Sequence, residues 1–114
     1  MSIRTKEQRE RPTEPSRPIF FVNSEGLVNY LHAAEYLNAG DAAVVTLNGQ
    51  ANVLLLDDLN YSAYRRGDSY RYFGGLAKQS PCRMIAPKTG HWHVVVDLGG
   101  YVGSVRAGIS FLRG

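Results

Sequence analysis

The chain has 114 residues, of which 44% are hydrophobic and 20% charged, with a net charge of +3 and a single cysteine. That length accommodates one domain, and lone Cys82 excludes an internal disulfide and a cysteine-based zinc finger. No apolar run approaches the roughly 20 residues that cross a bilayer, and IRTKEQRERPTEPSRP is too polar for a secretory leader. The expectation is a cytoplasmic protein without membrane contact.

Residues 1–18 carry a net +2, three prolines (Pro12, Pro15, Pro18) and little that is apolar, so they read as a disordered basic tail. The rest is close to neutral, at +1, which argues against an extended basic face for nucleic acid. Residues 19–29 open with the short apolar IFFV and read as a linker or N-terminal extension. The β domain is expected over 30–114.

From Tyr30 the spacing is ambiguous: Leu27, Tyr30, Leu31 and Ala34 suit a helix, whereas Tyr30, His32 and Ala34 alternate as in a strand. Asn38-Ala39-Gly40-Asp41 reads as a turn into the strand AAVVTL, and Asn48-Gly49 as a type I′ hairpin turn into ANVLLLD. There Val53 and Leu55 share one face and Leu54 and Leu56 the other, which predicts a central strand covered on both sides. In the following DDLNYSAYRRGDSYRYFGGLAKQSP, turn signals at Asn60, Gly67-Asp68, Gly74-Gly75 and Ser80-Pro81 predict short strands alternating with exposed loops. CRMIA, HWHVVVDL and SVRAGISFL follow as strands, the last with Val105, Ala107, Ile109 and Phe111 as its apolar face. The predicted architecture is an all-β antiparallel sandwich or flattened, jelly-roll-like barrel.

The clearest strand carries the most suggestive chemistry. Trp92, Val94, Val96 and Leu98 alternate toward a core, and His91, His93, Val95 and Asp97 lie on the opposite face. Two histidines at i and i+2 are spaced about 6 to 7 Å apart, workable for one metal, with His32 or Asp97 as a third ligand. A metal-dependent hydrolase built on His91 and His93 is the enzymatic alternative. The expectation is nevertheless no metal, no cofactor and no catalysis, because two histidines supply only part of a site and suit the polar face of a sheet equally well. Asp57, Asp58 and Asp97, where strands give way to turns, read as caps for loop amides rather than as paired acid–base carboxylates. Cys82 reads as a structural core residue.

The segment 61–73 interleaves Tyr61, Tyr64, Tyr70, Tyr72 and Phe73 with Arg65, Arg66 and Arg71. Aromatic area with guanidinium groups suits a binding surface, and a core role for alternate tyrosines is the competing reading. The candidate surface is Tyr61, Tyr64, Arg65, Arg66, Tyr70 and Arg71, with His91 and His93 beside it. A near-neutral body favours a protein, peptide or glycan partner; a single-stranded nucleic acid held by 61–73 is the alternative.

The stretches YLNAGD (36–41), VTLNGQANVLLLDDLNYSAYRRGDSYRYFGGLAKQSP (45–81) and TGHWHVVVDLGGYVGSVRAGISFL (89–112) resemble a bacterial family known as domain of unknown function 1883. The resemblance spans roughly 30–112, with GHWHVVVDLGG its most specific motif. It implies a small all-β domain, in some members attached to signalling domains of the TIR type, with no established activity to carry over. It also favours a strand over a helix at 29–37.

Overall fold

The computed structural model describes residues 20–23, 30–99 and 103–114, and the predicted tail over 1–18 lies outside them. Among the described residues eight strands and one helix follow in order: β1 (Phe20–Asn23), β2 (Tyr30–Leu37), β3 (Ala42–Leu47), β4 (Ala51–Asp57), α1 (Asp58–Arg66), β5 (Phe73–Ala77), β6 (Cys82–Ile85), β7 (Gly90–Asp97) and β8 (Ser104–Leu112). They form two antiparallel four-stranded sheets, β1-β8-β3-β6 and β2-β7-β4-β5. Neither sheet closes on itself, so the fold is an all-β sandwich rather than a barrel. Among the described strands only β4 and β5, joined through α1, are sequence neighbours that share a sheet.

The period-two patterns direct the packing. Val53 and Leu55 of β4 and Trp92, Val94 and Val96 of β7 face Val45 of β3 and Val105, Ala107, Ile109 and Phe111 of β8, all buried in one cluster between the sheets. Trp92 is 2% exposed, on the core face its alternation predicts. On the outer face of the second sheet, Leu54, Leu56 and Val95 form a separate buried group under Tyr30, Tyr61, Tyr64 and Tyr70. β4 is thus covered on both sides, as its continuous apolar run requires.

Three local expectations are corrected. Asn48-Gly49 is not a hairpin turn, because β3 and β4 belong to different sheets. A type I′ turn needs positive φ at both central residues, and Gly49 does not adopt it. Instead Asn48 is tied to β8, its amide donating to the Arg106 carbonyl at 3.1 Å and its Oδ1 accepting from the Arg106 amide at 2.8 Å.

Residues 58–66, expected as loops and short strands, form a helix. Asp57 caps it, accepting from the Asn60 amide at 2.9 Å, and Gly67 ends it at φ +81°. Asp58 in the first turn and Arg65 and Arg66 in the last suit the helix dipole. Asn60, taken as a turn signal, bonds locally through its side chain to Asp57 and to the Arg71 amide. Gly74-Gly75 is likewise no turn but lies inside β5, where a Cβ on Gly74 would sit 2.2 Å from the Val53 carbonyl oxygen.

Candidate functional site

In the antiparallel register Asp57, at the end of β4, lies opposite Trp92 of β7. The next residue, Asp58, therefore starts α1 directly over the residues flanking Trp92, whose side chains point outward: His91 and His93. Asp58 Oδ1 lies 2.7 Å from His91 Nδ1 and 2.5 Å from His93 Nε2. His93 continues the chain on its other nitrogen, with Nδ1 2.9 Å from Nε2 of His32 on the adjoining strand β2. Helix α1 covers the assembly: the Tyr61 ring stacks on His32 at 4.2 Å and on His93 at 4.3 Å between centroids. All three histidines of the chain thus meet one carboxylate in a continuous hydrogen-bonded row.

Burial is uneven along that row. His93 is 8% exposed, whereas the side chains of His91 and Asp58 are 47% and 68% exposed, so the carboxylate end opens to solvent. The hydrogen bonds from His93 and His91 hold the Asp58 carboxyl below its ordinary range. Desolvation, then the positive forms of His93, Arg65 and His91, lower the basicity of His32. The Tyr61 hydroxyl is pushed up to about 12 by desolvation and by its contact with Tyr30 at 3.3 Å.

Asp97, one of the two third ligands considered in the metal alternative, is engaged elsewhere. Its carboxylate accepts from Tyr64 Oη at 2.6 Å, Asn52 Nδ2 at 2.9 Å and the Gly99 amide at 2.9 Å. It docks α1 onto the sheet. The tyrosines of the 61–73 segment divide accordingly: Tyr61, Tyr64 and Tyr70 are half-buried against Leu54, Leu56 and Val95, while Arg65, Arg66 and Arg71 are exposed. Arg66 pairs with Asp68 at 2.9 Å, and Arg65 lies 5.9 Å from the Tyr61 ring centroid. Desolvation, followed by the charge of Asp97, raises the Tyr70 hydroxyl. Cys82 is a free, partly buried thiol packed against the core, and burial raises its pKa.

Sequence reasoning missed a cleft of about 520 Å³ at the end of the sandwich, where β4 leaves the sheet and β5 and β7 begin. Tyr72, Phe73 and Trp92 contribute its aromatic walls, and Arg71 and Lys88 its cationic ones. Tyr72 and Phe73 are exposed, and Trp92 Nε1 donates to the Lys88 carbonyl at 3.0 Å, which fixes the loop before β7. The 61–73 composition points at Arg71, Tyr72 and Phe73; Lys88 arrives there through the β6–β7 loop and Trp92 from the start of β7, which no local pattern reveals.

Among the described residues no helix is long and apolar enough to cross a membrane. No curated protein and no solved structure is similar enough to the chain to count as a match. A family model does match, over residues 28–114, which takes in every element from β2 to β8, including α1, all three histidines and Asp58, and the chain therefore belongs to the family described as Domain of unknown function (DUF1883).

Proposed function

We propose that the chain is a non-catalytic binding module that takes an acidic peptide segment in the cleft at the end of the sandwich. The observation that carries this reading is the chemistry of the cleft wall: the exposed rings of Tyr72 and Phe73, set over buried Trp92, offer aromatic area beside Arg71 and Lys88. Among the described residues neither cation is ion-paired, so each is available to a ligand carboxylate. A volume of about 520 Å³ falls in the range of pockets that hold small ligands or a few peptide side chains. So few cations would hold a partner chiefly through aromatic contact and individual guanidinium hydrogen bonds.

The experiment is selection from a displayed peptide library, followed by binding measurements on the Arg71→Ala/Lys88→Ala/Tyr72→Ala variant, with thermal unfolding as the control for folding. Enriched acidic peptides that the folded variant no longer binds support the reading, with shallow salt dependence in the wild type. Unchanged binding by the variant eliminates the cleft. Strong oligonucleotide binding that collapses as salt rises would put a single-stranded nucleic acid first instead.

A further inference from the structure

From the convergence of Asp58, His91 and His93 we infer a binding site for a divalent transition cation, Zn²⁺ or a chemically similar ion, on the outer face of β7. The site is independent of the peptide reading, because Trp92 lines the cleft from the inner face of the same strand.

The donor set favours such an ion. One ring nitrogen from each of His91 and His93 and a carboxylate oxygen of Asp58 lie within 4.8 Å of one another. Two imidazole nitrogens and one carboxylate suit borderline ions such as Zn²⁺, Co²⁺ or Ni²⁺, whereas Mg²⁺ and Ca²⁺ prefer all-oxygen shells. Ligand bonds of about 2.0 to 2.1 Å at tetrahedral angles place donor atoms about 3.3 Å apart. The hydrogen-bonded separations of 2.5 and 2.7 Å need to open only slightly to reach that. The exposed side chains of Asp58 and His91 can supply the movement that brings the three donors to that spacing, while buried His93 is held by His32 and Tyr61. With three protein ligands, a fourth position faces solvent and is open to water or to a group from another molecule.

The surroundings orient the ligands. With a cation on His93 Nε2, the proton of that ring sits on Nδ1 and donates to His32 Nε2, 2.9 Å away, the outer-shell hydrogen bond that fixes the tautomer of metal-bound histidines. Tyr61, stacked on both rings, holds their planes. His32 is a positioning residue in this scheme and not a ligand.

The test is calorimetric titration of the full chain with Zn²⁺ and with Mg²⁺, together with the visible spectrum of the Co²⁺ form and the histidine imidazole NMR signals. We expect one Zn²⁺ per chain with Kd at or below about 1 μM, no comparable Mg²⁺ binding, and shifts at His91 and His93. Asp58→Ala and His91→Ala alter exposed side chains, and each should weaken Zn²⁺ by more than the roughly 10- to 100-fold expected of an outer-shell loss. His32→Phe keeps a ring under Tyr61 but removes the acceptor; it should weaken Zn²⁺ by about 10- to 100-fold and perturb the Co²⁺ spectrum while thermal stability holds. Cys82→Ser should bind as the wild type does. Absence of stoichiometric Zn²⁺ binding overturns the site, as does wild-type affinity in folded Asp58→Ala and His91→Ala variants. The imidazole shifts of the unmutated chain decide the matter if a variant fails to fold.

Discussion

The Tyr64 hydroxyl donates to Asp97 Oδ2 at 2.6 Å, joining the last turn of α1 to the end of β7 across the outer face of the sheet. Asp97 also accepts from Asn52 on β4, so one carboxylate ties the helix to two strands. Hydrogen bonds to a charged group are worth about 1.5 to 3 kcal/mol, and Tyr64→Phe should cost about that much in denaturant unfolding. Asp97→Ala should cost more, because it leaves Tyr64 and Asn52 without their acceptor.

The same face predicts a loss of stability in alkali. Desolvation raises the Tyr61 hydroxyl to about 12, and desolvation with the charge of Asp97 raises that of Tyr64. A group whose folded pKa lies above its unfolded value near 10 contributes stability that is full below pH 10 and declines as pH rises toward the folded value. Denaturant midpoints should therefore fall between about pH 10 and pH 12. Tyr64→Phe should flatten that decline, and ultraviolet titration should show tyrosines that ionise late.

An opposite dependence is expected at the acid end. Asp41, 3% exposed, accepts from the amides of Gly114 and Asn38 at 2.7 and 2.8 Å and from Arg113 at 3.2 Å, and these bonds lower its pKa. A depressed carboxylate contributes stability above its unfolded pKa and loses it as pH falls through the folded value. Asp41→Asn should be less stable than wild type at neutral pH, with the difference shrinking under acid. Circular dichroism across an acid series measures this.

Trp92→Ala empties the inner face of β7 beside Val94 and Val96 and should cost about 3 to 5 kcal/mol. The wild-type indole should emit at short wavelength and resist aqueous quenchers, because it is almost wholly buried.

Gly74→Ala should destabilise by about 2 kcal/mol or more, through the left-handed backbone cost and the collision with the Val53 carbonyl. Gly75→Ala, where the added carbon meets nothing within 4 Å, should show only the backbone share. Comparing the two variants by thermal unfolding separates the contributions.

The strands were legible because their signal is local. HWHVVVD and SVRAGISFL alternate cleanly, and β4 shows its two-sided burial in four successive apolar residues. The helix was not, since nine residues give only about two and a half turns of periodicity and its Asp, Asn and Ser also favour loops. With α1 unseen, Asp58 had no reason to approach the histidines; its arrival depends on the register that sets Asp57 against Trp92. Asp97 does share a face with His91 and His93, but it lies four positions along the strand from His93, about 13 Å at 3.3 Å per residue. Alternation identifies the face and leaves the partner across it to tertiary structure. Asn48-Gly49 failed for a related reason: a turn dipeptide marks a reversal and does not say whether the next strand joins the same sheet.

The strand order also governs when this chain can fold. Each sheet has a strand needed by two others, β8 between β1 and β3, and β7 between β2 and β4, and both come last in sequence. A nascent chain that has emerged only through β6 can form just the β3–β6 and β4–β5 pairs, one at the edge of each sheet. Val45, Val53 and Leu55 would meanwhile lack the Trp92 and Ile109 layers that cover them. Synthesis interrupted before β7 should therefore yield chains prone to aggregate or to be degraded. Ladders that join Ala42 to Leu112 and Tyr30 to Asp97 also place refolding in the millisecond-to-second range typical of such long-range β topologies.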